Sequence, residues 1–180
     1  MPGERQAAHR VRRDSLAGYH VHWQHTPYTL PLLGSVLVLL VLAALIWQRR
    51  ATPGAVPLTL LMLAVAFWSF AYALQLAGAD LKTQFFWARV KYLGVTSVSP
   101  LWLVFVLTYT GRAYWLTRPV RALLALVPLV FTVLMWTTRA HGLMWRDIHL
   151  HDLGYFMAVF SDAGPAFWVH SLLAYAVFLV

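Results

Sequence analysis

The sequence predicts an all-α fold: a polytopic bundle of transmembrane helices with four complete spans and a partial fifth. Three observations carry this expectation. The 180-residue chain is 61% hydrophobic and only 11% charged, with a mean hydropathy of +0.65, whereas soluble domains average about 45–50% apolar and about 25% charged residues. Its apolar residues gather into five runs of bilayer-like length, since a hydrocarbon core of about 30 Å takes roughly 20 helical residues. All six acids (Glu4, Asp14, Asp80, Asp147, Asp152 and Asp162) lie outside those runs.

The first span covers about 30–47. Leu30 to Trp47 carries no charge, and the run stops at Gln48-Arg49-Arg50. Signal-peptide cores run about 7–15 residues behind a short basic segment and end in a small-residue cleavage site. This run follows a long tail and offers no such site, so it reads as a retained helix. The second span, about 57–77, is charge-free, with Pro57 suited to a first turn and Gly78 marking its end. The third covers about 87–109 and is charge-free from Tyr92 onward. Its Pro100 removes one backbone hydrogen bond and predicts a kink, with Thr96, Ser97 and Ser99 placed to re-satisfy freed carbonyls. The fourth, about 119–136, contains only Arg121, in its first turn. The fifth, 165–180, is still apolar at Val180 and would rise only about 24 Å. The expectation is therefore an N-terminal fragment of a longer membrane chain. Residues 1–27 read as a basic, His-containing, disordered tail. Loop 137–164 leaves room for a short hairpin around GYFMAVF.

Alternation puts the tail, loop 78–84 and loop 137–164 on one side. Loops 48–56 and 110–118 lie on the other, with Arg49, Arg50, Arg112, Arg118 and Arg121 and no acid. Lys and Arg in short loops mark the cytoplasmic side. That favours an N-outside arrangement, which the Arg-rich tail opposes. Trp47, Tyr109, Tyr114 and Trp115 at one set of ends, and Trp87, Trp136 and Trp168 at the other, suit the headgroup level.

Several chemistries are excluded or disfavoured. With no Cys in the chain, disulfides, thiolate metal sites and Cys nucleophiles are out. The net charge of +8 is parcelled into a tail and short loops, which is topology control and not the contiguous basic face that nucleic acid needs. His20 and His22, and His149 and His151, alternate in a way that could present two imidazoles to one metal. Without a third ligand the expectation is solvated loop histidines, hence no metal and no cofactor. Bis-histidine haem needs imidazoles on facing spans, and only His170 lies within one. No Walker loop, GxSxG, HExxH or GxGxxG occurs, so the chain reads as a non-enzyme.

The polar residues inside the spans are the remaining candidates. Ser69, Tyr72 and Gln75 share a broad face of the second helix. Small polar groups in spans most often serve helix packing. The functional alternative is a ligand cavity at the Pro100 kink, walled by Trp68 and Trp102, with Tyr72, Gln75, Arg89 and Tyr92 contributing. Arg89 and Lys91 lie about 200° apart on a helix; both should snorkel to the headgroups, and Arg89 is the better choice to turn inward.

The order of these landmarks resembles the N-terminal seven-helix membrane region of bacterial sensor histidine kinases, found also in some diguanylate cyclases. FWARVKYLGVTSVSPLWLVFVLTYTGR resembles its third helix through Trp87, Arg89, Tyr92, Gly94, Pro100, Phe105, Tyr109 and Gly111. FWSFAYALQL resembles the end of the second, Pro128 a mid-fourth-helix proline, and HGLMW the segment that follows. GPAFWVHSLLAYAVFL resembles the opening of the fifth. The resemblance covers about Tyr28 to Val180, and the basic tail departs from it. It implies a sensory input domain in a bacterial inner membrane, passing a helix displacement to a cytoplasmic kinase or cyclase. It also implies homodimerisation in the complete receptor, contact with membrane lipid, and an unspecified small ligand or membrane signal. The competing reading is a fragment of a transporter or facilitator. Transporters favour inverted repeats and charged mid-span residues; no repeat is evident, and no carboxylate lies inside a span.

Overall fold

The computed structural model describes residues 23–154 and 156–179. Helix α1 is Thr29–Gln48, α2 Ala55–Ala77, α3 Leu81–Tyr109 and α4 Arg118–Trp136. All four are long and apolar enough to cross a membrane. A four-residue helix α5 (Thr138–His141) leads into an antiparallel hairpin, β1 (Trp145–Asp152) with β2 (Met157–Ala163), followed by the shorter apolar helix α6 (Pro165–Phe178). Much of the His20/His22 tail lies outside the described residues. Trp23 to Pro27, assigned to that tail by sequence, is instead fixed in place: Trp23 bridges Gly78, and the Gln24 amide donates to the Ala77 carbonyl at 2.7 Å.

Helix α3 is the hub. It packs along α2 and α4 and meets α6, while α1 leans on α2. At 29 residues it is about 44 Å long, well beyond a hydrocarbon core. It starts six residues before the predicted span, because Asp80 caps it by accepting from the Thr83 amide at 2.8 Å. The expected loop 78–84 is therefore mostly helix, and its polar residues Lys82 and Gln84 belong to the extra turns. Those turns support a small core of Phe85, Tyr92, Phe131, Met135 and Met144, with Trp145 and Ile148 of the hairpin packed against it.

Two glycines allow the close approaches this packing requires. A Cβ on Gly94 would lie 2.9 Å from the Ala64 carbonyl oxygen and 2.9 Å from the Trp68 Cβ, so α2 and α3 meet backbone to backbone there. A Cβ on Gly164, which caps α6, would run into the Leu143 carbonyl. Across the α3–α4 seam the buried Thr96 hydroxyl donates to the Tyr92 carbonyl at 2.8 Å and lies 3.3 Å from the Thr132 hydroxyl, one turn past Pro128. Ser97 donates to Leu93 at 2.6 Å. Both back-bonds go to carbonyls one turn earlier, Tyr92 and Leu93, and not to the Thr96 carbonyl that Pro100 leaves free, so these hydroxyls serve helix packing and not the re-satisfaction of freed carbonyls expected from the sequence.

Gly94→Leu should cost about 1–3 kcal/mol by overpacking the α2–α3 contact. Gly34→Ala, in a helix with nothing within 4 Å of the added carbon, should gain about 0.5–1 kcal/mol. Thermal unfolding of the detergent-solubilised variants measures both, and equal Tm values for wild type and Gly94→Leu would contradict the packing described.

The Asp80 cap carries a pH signature. Burial pushes its carboxyl up, but hydrogen bonds from Thr83 outweigh this, and the net shift is downward from 3.8. A depressed folded-state pKa makes the cap stabilising above the ordinary carboxylate value and removes that contribution as pH falls through the folded value. The Tm difference between wild type and Asp80→Ala should therefore be present at neutral pH and shrink below about pH 4. A difference that stays constant down to pH 3 would show the carboxylate is not the capping group.

Candidate functional site

Two glutamines fasten the hairpin to the helical bundle. Gln84 is fully buried; its Nε2 donates to the Gly78 and Met157 carbonyls, and its Oε1 accepts from the Val159 amide at 2.8 Å. The Gln24 Nε2 lies 2.9 Å from the Leu76 carbonyl, 2.8 Å from that of Gly78 and 2.7 Å from that of Met157. The Gln24 Oε1 accepts from the Met157 amide at 2.9 Å. Strand β2 is thus tied both to the α2–α3 turn and to the segment before α1. Phe156 adds an edge-on contact with Tyr28, centroids 5.7 Å apart.

The strapped hairpin leaves a cleft of about 370 Å³ against the ends of α2 and α3. Tyr72, Gln75 and Leu76 of α2 form one wall and Lys91 of α3 the base; Trp145, Phe156 and residues 158–161 close the other side. The Lys91 Nζ lies 4.4 Å from the Tyr72 ring centroid and 5.9 Å from that of Trp145. These aromatic faces offset part of the cost of holding a cation at this depth. Gln75 is only 5% exposed, and its Oε1 is enclosed without a hydrogen-bond donor among the described residues. A buried amide oxygen left unpaired is costly, of order 1–3 kcal/mol.

The structure does not bring the sequence candidates together in one site. Tyr72 and Gln75 reach the cleft; Tyr92 stands behind it, edge-on to Trp145 with centroids 5.7 Å apart. Arg89 does not enter. It lies in the α3–α4 seam, 4.6 Å over the Phe85 ring and 4.9 Å over Trp136, with its Nε enclosed and unpaired among the described residues. The cation bordering the cleft is Lys91, which the sequence had simply snorkelling. Pro100 lines a separate, apolar groove of about 270 Å³ with Ser97, Pro128 and Arg121. Trp68 and Trp102 wall neither cavity. Trp68 packs its Cβ over Gly94, and Trp102 lies tilted against Phe105 and Phe178, ring centroids 5.8 Å away in each case. Each indole thus has its own packing site, and neither lines the cleft or the groove.

Sequence reasoning used Trp145 only as a landmark and did not find Gln24 or Gln84. The one available signal was a hairpin-forming segment facing polar residues that precede a span. Among the described residues no group of three His, Asp or Glu is placed to hold a metal. His149 Nδ1 lies 2.6 Å from the Asp147 carbonyl, and His151 lies against Phe160.

The family model for the N-terminal 7TM region of histidine kinase matches residues 31–180. The chain belongs to this family. It is accordingly a multi-pass membrane protein and part of the sensory input region of a histidine kinase, as its sequence landmarks implied. No curated protein and no solved structure matches it.

If the glutamine strap seats the hairpin, Gln84→Leu should strand the Val159 amide and weaken the Gly78 and Met157 acceptors, costing about 1–3 kcal/mol locally. Hydrogen exchange at Val159 and limited proteolysis of the hairpin should both accelerate, with the helices unaffected. An unchanged exchange rate at Val159 would remove the strap from the account.

Proposed function

We propose that this region reads a stimulus at the hairpin cleft and transmits it by displacing α3 toward a cytoplasmic output domain. The observation that supports the reading is the reach of α3. One helix borders the cleft through Lys91, meets α4 at the Thr96–Thr132 contact one turn to the hairpin side of Pro100 and Pro128, and packs at its far end, near Tyr109, against Gly54 at the start of α2. A rigid element with a proline-softened middle converts a change at one end into rotation or translation at the other, the usual form of such coupling. In this reading the N-terminus and hairpin face the outside of a bacterial cytoplasmic membrane, and the Arg-rich short loops face inward. Output is a histidine kinase working as a dimer.

The proline pair provides the test. In the complete receptor, reconstituted in liposomes, Pro100→Ala and Pro128→Ala restore a backbone hydrogen bond and stiffen the path. Each should change basal autophosphorylation severalfold, because a bistable element shifts its populations when one state is favoured by about 1 kcal/mol. Normally folded variants with wild-type basal and stimulated activity would rule out α3 as the transmitting helix.

A further inference from the structure

The cleft combines three features that bear on its occupant, and the inference from them rests on the sensory reading above. Lys91 offers an ammonium with aromatic faces beside it and no carboxylate partner among the described residues. Gln75 lines the cleft, and its Oε1, an acceptor, has no hydrogen-bond donor among the described residues. Trp145 and Phe156 supply apolar walls, and about 370 Å³ admits a small molecule but not a peptide helix.

We infer that the cleft binds a small amphiphilic anion: a carboxylate or phosphate on Lys91, a neighbouring hydroxyl or amino group on the Gln75 amide, and an apolar body against Trp145 and Phe156. An anion at Lys91 neutralises a charge that is costly at this depth, and the neighbouring polar group donates to the unpaired Gln75 oxygen. The two polar contacts fix orientation and the walls provide most of the buried area, the usual division in ligand sites. The same chemistry could arrive as a free hydroxy acid or as an anionic lipid headgroup with its glycerol hydroxyls. The free acid is favoured, because the hairpin covers the cleft on the side away from the helices.

The test uses the purified chain in phosphatidylcholine nanodiscs with fluorinated phenyllactate as probe, followed by fluorine NMR line broadening. Phenyllactate carries the carboxylate, the adjacent hydroxyl and one ring. It should bind in the millimolar range or tighter. Lys91→Met should weaken binding about tenfold or more, and Lys91→Arg should restore most of it. Gln75→Leu should weaken phenyllactate severalfold while leaving phenylpropionate, which lacks the hydroxyl, unchanged. The methyl ester should bind no better to wild type than to Lys91→Met. Absence of saturable broadening with the wild-type chain, or equal binding by folded Lys91→Met, would overturn the proposal. Replacing phosphatidylcholine by phosphatidylglycerol separates the two sources. Competition that depends on Lys91 assigns the anion to the lipid; its absence assigns it to the free acid. Binding that tracks Lys91 while receptor activity ignores Lys91 would keep the site and defeat the sensory reading. Signalling that depends on Lys91 without any binding would do the reverse.

Discussion

Backbone polar groups at the end of a membrane helix must find partners, because neither hydrocarbon nor a packed neighbour can hydrate them. The α2–α3 turn meets this constraint with one side chain from the start of α3, Gln84, and one from far away in sequence, Gln24. The carbonyls of Leu76 and Gly78 accept from Gln24 or Gln84, and the same two glutamines complete the bonding of Met157 and Val159 on β2. Seat and strap are therefore one network, and the cleft exists because of it. Without these bonds β2 would have no fixed height over α2, and Trp145 would have no fixed place beside Lys91. Burying Gln84 completely is tolerable because both ends of its amide are engaged.

The same network explains why α3 is longer than a membrane span. Asp80 starts the helix early, which lifts Gln84 and Phe85 to the level of the hairpin and places Arg89 and Tyr92 on one side of the helix and Lys91 on another just beneath it. Phe85 then lies between the guanidinium groups of Arg89 and Arg139, each 4.6 Å from its ring. Like charges this close are tolerated because an aromatic quadrupole faces each one. Lys91 uses Tyr72 in the same way. Cations at the border of this bundle are held by rings, which leaves them electrostatically available to an incoming anion.

How much of this was legible in the sequence follows from the range of the interactions involved. The spans were legible because charge-free length is a local property: Leu30–Trp47 and Pro119–Trp136 are found as Thr29–Gln48 and Arg118–Trp136. The early start of α3 was missed because apolar counting stops at Lys82, although Asp80 three residues before Thr83 was a readable cap. The hairpin around GYFMAVF was foreseen only as an option, since alternation there is weak. The division of labour between Arg89 and Lys91 was not readable at all. Helical geometry says the two point apart, but which one meets a cavity depends on where residues 145–161 dock. Trp68 and Trp102 looked like cavity walls because both are mid-span aromatics. Their actual neighbours, Gly94 and Phe178, are set by helix packing that one strand of sequence does not encode locally.

Stability and responsiveness are also kept apart along α3. The tight contacts, Gly94 on Trp68 and Thr96 near Thr132, lie in the middle of the helix, whereas the unpaired polar atoms lie toward its hairpin end or on a neighbour. Gln75 Oε1, Arg89 Nε and His170 Nε2 are enclosed without partners among the described residues, and His170 rests edge-on against Phe131 at 4.8 Å. Unsatisfied buried groups raise the energy of the state that holds them. A rearrangement that satisfied even one would therefore compete with the present packing. Three such groups spread over α2, α3 and α6 make the hairpin end the place where a second arrangement of the bundle costs least, while the glycine and threonine contacts below keep the helices together as it forms.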